Sequence, residues 1–389
     1  MKNCLTFLFV FLCPFLSIAQ NNSLIISKII ALPKDSLETK KLVSSFNNLL
    51  IAKEKPNEEN NFVWNKENVE TYILLDEMNG IEKSGKYKDD FFFKPYLTNV
   101  VKLSNTEYFL QFSYIGISEN TPTLRGSFEL IAHKENDQFK FSSTLTRNSS
   151  SWEIKKIGNC TFHYKKSINE KTAVKYEKAV ASFDKKLNAT NQQTDIYFGA
   201  DFPELLKMIG VEYKLDYNSR VSSTFSSKSG NRLLIVKGDN DTNFNNFDLH
   251  DLWHERLKNV VSSKIINKPV DEGCAYLYGG SWGISWKDIF KTFKLKVAND
   301  SKKNWLEVYG KFDNFGETKE THLMAEYVIN ALIVQKIEKE KGFESVLEFV
   351  SCGKYNKEND NYFQSLEKLT GINKVNFNQK VWELINNEK

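Results

Sequence analysis

Two histidines and a glutamate carry the clearest chemistry in this chain. His250 and His254 stand four residues apart in Asp248-Leu-His250-Asp251-Leu-Trp-His254, and Glu272 follows eighteen residues later in Pro269-Val-Asp-Glu272-Gly-Cys-Ala-Tyr276. On a helix, positions i and i+4 lie on one face, one turn apart. Both imidazoles can therefore reach a single ion at about 2.0–2.1 Å without strain. The third donor must come from another element, because the same helix cannot curl round the ion. Pro269 suits a first helical turn and Gly279-Gly280 suits the end of one. That predicts a short second helix crossing the first, with Glu272 near its start. Two imidazoles and a carboxylate with a fourth position open are the donor set of a catalytic zinc site. The competing reading is a structural histidine pair that bonds or caps backbone carbonyls.

Elements that would position these groups are legible around them. Asp248 is a plausible N-cap for the motif helix. Before it come a helix over 170–187, a short strand at Thr194-Asp-Ile-Tyr-Phe198, a helix over 202–209 ended by Gly210, a strand over 232–237 and a polar loop over 238–246. After it, residues 301–315 are looser. A long amphipathic helix is expected over 321–340, and short helices over 343–350, 362–369 and 377–385. Upstream, apolar spacing predicts helix over 24–50 and over 69–78. From Phe91 the residues favour strands: Tyr108–Tyr114, Gly126–Ala132, Phe139–Phe141 and Trp152–Tyr164 are rich in β-formers between polar clusters. Helices followed by antiparallel strands imply a small α+β domain with a curved sheet. Its element order resembles the cone-like folds related to nuclear transport factor 2.

Composition bounds the setting. Lys2, the apolar run from Leu5 to Ile18 and Ser17-Ile18-Ala19 read as an export signal over 1–19. No later stretch approaches the twenty apolar residues of a membrane span. The mature chain is expected to be periplasmic or extracellular. With 53 basic and 49 acidic residues the formal charge is +4. No basic arm interleaved with aromatics is present, so nucleic acid is not an expected partner. Cys160, Cys274 and Cys352 allow one bridge with one thiol left over; the sequence does not say which. A mature length of about 370 residues favours two domains: 20–160, α+β, and 161–389, carrying the metal motif.

At this point the chain resembles a family, the gluzincin metallopeptidases and in particular the peptidase MA-like group. Those proteins carry a His-Glu-x-x-His helix and a downstream Glu-Gly-x-Ala segment; here the counterparts are His250-Asp-Leu-Trp-His254 and Glu272-Gly-Cys-Ala275. The resemblance extends over residues 162–389 through Leu366-Glu-Lys-Leu-Thr-Gly371 and Phe377-Asn-Gln-Lys-Val-Trp382. It implies a zincin-like domain with a mixed sheet and metal-site helices. It also implies zinc on His250, His254 and Glu272, and peptide-bond hydrolysis of a peptide or protein substrate by zinc-activated water. The family's catalytic glutamate is replaced by Asp251, whose carboxylate reaches about one methylene less far; a misplacement of that order can cost ~10²-fold in rate. Asp251 is then a catalytic base or a remnant that merely favours the helix dipole. The alternative function is a catalytically inactive peptidase-like binding module.

Other groups weigh less. Glu255 follows His254 and should point elsewhere. Tyr276 could face an oxyanion, though Tyr276 and Tyr278 read better as packing groups. Gly279-Gly280-Ser281-Trp282-Gly283 reads first as a helix stop, His322 as a surface histidine, and His133 and His163 as residues without a chemical role. Strand 232–237 is an ordinary sheet strand or an edge able to receive an extended peptide.

Overall fold

A computed structural model describes the chain from Leu24 to Glu388, apart from residues 301, 312, 317, 319, 320 and 357. The export signal expected over 1–19 lies outside these residues. The protein is mixed α+β with two open sheets. It divides into two compact units: one of residues up to Glu67, Leu74–Thr144 and Gly210–Asn218, the other of Asn68–Ile73, Leu145–Ile209 and Ser219–Lys389.

The first unit begins with β1 (Ile25–Ile26) and α1 (Ser36–Ala52); α2 (Asn68–Met78) follows in the chain, its residues from Leu74 belonging to this unit. Helix α1 starts at Ser36 rather than at Leu24, because the Asp35 side chain accepts from the backbone N–H groups of Leu37 and Glu38 and so caps it there. Ile25 and Ile26 pair instead, parallel, with Tyr96 and Leu97. Strands β2 (Lys94–Lys102), β3 (Glu107–Ser118), β4 (Thr121–Glu135) and β5 (Gln138–Ser142) complete the order β1-β2-β3-β4-β5. The pairs from β2 onward are antiparallel, with register shifts at Leu97/Asn99 and Tyr114/Ile115. Period-two alternation buries Tyr108, Leu110, Phe112 and Tyr114 of β3. Phe46 of α1 meets Phe112 edge-on with ring centroids 4.9 Å apart.

The second unit continues with α3 (Leu145–Asn148), β6 (Glu153–Ile157), β7 (Cys160–Tyr164), α4 (Glu170–Lys186), β8 (Gln193–Tyr197) and α5 (Phe202–Ile209). The chain then lends β9 (Val211–Lys214) to β4 of the first sheet. It returns as β10 (Ser223–Ser229) and β11 (Arg232–Gly238). The second sheet runs β10-β11-β8-β7-β6, with parallel pairs at its centre and antiparallel pairs at both ends. Hairpin β6–β7, which the sequence groups with the earlier strands, therefore belongs to this sheet. Strand β11 is interior, with Leu233 to Val236 buried, so it is not the edge that could receive a peptide. The edge is β10, whose Ser-Thr-Phe-Ser-Ser-Lys-Ser lacks an apolar pattern and exists through its ladder to β11.

Helices follow: α6 (Leu249–Leu257), α7 (Lys268–Gly279), α8 (Trp286–Lys296), α9 (Trp305–Val308), α10 (Ala325–Lys341), α11 (Phe343–Val350), α12 (Asp360–Thr370) and α13 (Phe377–Asn387). Helix α8 was not expected; Ser285 caps it and Ile289, Phe290 and Phe293 bury its inner face. Helix α10 begins at Ala325, not Thr321, and is not amphipathic: Ala325 to Val334 are all buried. It is the central post of the unit. Cys160, Cys274 and Cys352 are all free thiols, so the one bridge the sequence allows is not formed. No described helix is long and apolar enough to cross a membrane.

Candidate metal centre

Helix α6 is fixed before any metal is considered. Asp248 accepts from the His250 backbone N–H at 2.8 Å and caps the helix. Trp253 is wholly buried and packs edge-on to Phe183 of α4. Arg256 is also buried, and its guanidinium forks onto Asp184 of α4 with two bonds of 2.6 Å and reaches Thr194 Oγ1 of β8 at 2.9 Å. These contacts leave the His250–His254 face turned toward α7.

Helix α7 can come close because of two glycines. A Cβ on Gly273 would lie 2.6–2.8 Å from Asn330 and Ala331 of α10, and one on Gly279 would lie 2.7 Å from the Leu249–His250 backbone. Contacts this tight exclude any side chain. Glu272, beside the first of these glycines, is thereby held over α6.

The three expected ligands meet. His250 Nε2 and His254 Nε2 are 3.2 Å apart, and Glu272 Oε2 lies 3.3 Å and 3.8 Å from them. A point about 2.0 Å from all three atoms exists at the centre of this triangle, which is the zinc–nitrogen and zinc–oxygen distance. The tautomers agree. His250 Nδ1 faces the Gly280 carbonyl at 2.9 Å and His254 Nδ1 faces Asp271 Oδ2 at 2.9 Å; both partners only accept, so both Nδ1 atoms carry hydrogen. In the neutral rings each Nε2 then presents a lone pair to the same point as the carboxylate. That arrangement repels itself unless a cation or a proton sits there. The residues fit a divalent metal.

Protonation tells the same story. Burial disfavours a charge on His254, but Asp271 and Glu272 overcome it and hold its pKa up at about 10. Burial likewise opposes His250, while Glu272 and the Gly280 carbonyl leave it raised. Burial alone would raise Glu272; the two imidazoles pull it down to about 2. In the metal-free protein those protons fill the place between the carboxylate and the rings, and a divalent cation binds there by displacing them.

Asp251 is exposed and stands on the walls of two cavities in this unit, one of about 720 Å³ shared with His254 and Glu272 and one of about 830 Å³ beside β10 and β11. Glu255, expected to point away, lines both as well, since residues 251 and 255 share a helix face. Burial pushes its carboxyl up to about 7, with Lys237 working the other way. Tyr276 is buried; its hydroxyl donates to the His322 carbonyl and accepts from the Met324 N–H, so it packs rather than faces an oxyanion. Tyr278 donates to Glu338 at 2.7 Å. His133 lies in the other unit against Ser142 and Glu107, and His163 stacks on Tyr197.

Sequence reasoning missed Asp271, the Gly280 carbonyl that accepts from His250, and Arg256. Asp271 was discoverable, because a carboxylate next to a helical ligand can lie behind the same metal. Arg256 gave no signal, since a charge in a polar motif reads as exposed. No protein-family model matches the sequence, and no curated protein matches it either.

Proposed function

We propose that the protein is an exported, zinc-dependent peptide hydrolase with a gluzincin-like second unit. One observation carries the reading: two imidazole nitrogens and one carboxylate oxygen converge on a point about 2.0 Å from each. When bound, zinc supplies Lewis acidity, making water acidic near neutral pH and polarising a carbonyl. The chain supplies everything else. Asp271 and the Gly280 carbonyl orient the rings, and Gly273 and Gly279 let Glu272 close the donor set. Asp251, on the adjoining face of α6, is the base that takes a proton from the attacking water and passes it to the leaving amine. Its short reach also favours a second reading, a binding protein that keeps the metal and the cavities without turnover.

Zinc-loaded wild type, Asp251→Glu and Asp251→Asn, assayed on a mixed peptide library, separate the two. The hydrolase reading expects Asp251→Glu to cleave faster than wild type, by up to ~10²-fold, and Asp251→Asn not to cleave. Full zinc with no cleavage by wild type or Asp251→Glu establishes the binding reading. Equal rates in all three remove Asp251 from the mechanism.

A further inference from the structure

The cavity of about 830 Å³ lies beside the metal centre and shares Thr224, Asp251 and Glu255 with the cavity on which His254 and Glu272 stand. Its walls carry the carboxylates of Asp239, Asp248, Asp251 and Glu255 against the ammonium of Lys237. Two of these acids are committed: Asp239 is 2.9 Å from Lys237 Nζ, and Asp248 caps α6. Asp251 and Glu255 are not. Among the described residues, no hydrogen bond or ion pair reaches either carboxylate. Glu255 keeps only a little accessible surface, and its carboxyl is packed about as densely as a buried group. Like charges at i and i+4 repel each other on a helix, and a desolvated carboxylate without a partner is costly. Together Asp251 and Glu255 leave this cavity wall with two carboxyls that no described side chain pairs. Apolar Ile235, Phe247 and Leu252 line the same cavity.

We propose that this cavity receives the arginine or lysine side chain of a peptide whose backbone lies beside the metal centre. The aliphatic stem would lie on the apolar side chains while the charged head pairs with Glu255 and Asp251. The inference rests on the proposed function only in taking a peptide as the ligand. An acidic side chain would meet the two free carboxylates and be refused; a neutral one would leave them unpaired.

The test is calorimetric titration of the full chain, zinc-free and zinc-loaded, with acetylated and amidated Ala-Ala-X-Ala-Ala peptides in which X is arginine, norleucine or glutamate. The zinc-free protein should bind the arginine peptide ~10-fold more tightly than the norleucine one, with glutamate weakest. Glu255→Gln should reduce that preference to within ~2-fold. Lys237→Gln, which frees Asp239, should increase it, and carries the test if Glu255→Gln fails to fold. Equal affinity for arginine and norleucine, no binding of any peptide, or an arginine preference that survives Glu255→Gln would overturn the proposal. Zinc content, measured on the same samples, keeps the two claims apart. Arginine preference without zinc binding would sink only the metallopeptidase reading. Zinc binding without arginine preference would sink only the cavity assignment.

Discussion

The Asp271 carboxylate stands 2.9 Å from Nδ1 of His254, and its second oxygen accepts from Trp253 Nε1 at 3.2 Å. Asp271 precedes the candidate ligand Glu272 on α7, so one turn of that helix supplies both a candidate metal donor and the group that orients the His254 ring on α6. Trp253, buried under the site, locks the carboxylate in turn.

Outer partners of this kind raise the basicity of the ring they hold and fix its tautomer. Asp271→Asn is therefore expected to weaken zinc binding by roughly 10–100-fold while leaving the fold intact by circular dichroism. Competition with a chelator of known affinity measures it. Unchanged affinity would mean that packing alone holds the His254 ring.

Arg256 and Asp184 make the buried ion pair that ties α6 to α4. Burial pushes the Asp184 carboxyl up, and Arg256 pulls it back down. Removing the guanidinium strands a carboxylate in the core. Arg256→Met should cost roughly 3–5 kcal/mol in denaturant unfolding, whereas Arg256→Met with Asp184→Leu should recover much of it. Equal loss in the single and double variants would show that shape, not charge, anchors the helix.

Much of this architecture was legible in the residues, and the failures have physical causes. The His250–His254–Glu272 set was readable because helix geometry and glycine or proline punctuation are local. Strand β10 was not, because its serines carry no pattern and its stability comes from the neighbouring β11. Helix α10 looked amphipathic because Glu326 and Asn330 break its apolar run, yet both are buried. Hairpin β6–β7 read as one more strand pair of the first sheet; only pairing with the distant β8 assigns it to the second.

Glu326 gives the molecule a pH signature of its own. It is buried, neither carboxylate oxygen makes a hydrogen bond of ordinary geometry among the described residues, and burial raises its pKa to about 7, a weaker approach of the Gly310 backbone N–H working the other way. The unfolded chain holds it near the ordinary 4.5. The folded state thus favours the neutral acid: its contribution is fully present below about pH 4.5 and is lost as pH rises through about 7, on the order of 3 kcal/mol. Glu326→Gln should match wild type at pH 4.5 and be more stable at pH 8 by thermal unfolding. Parallel stability profiles for the two proteins would contradict it.

His250, His254 and Glu272 are expected to hold one zinc ion together. The most direct test is elemental mass spectrometry of the purified mature chain after zinc loading and desalting, beside His254→Ala. One zinc per wild-type chain and none retained by His254→Ala is the expected result. Zinc absent from wild type, or kept in full by His254→Ala, would contradict it.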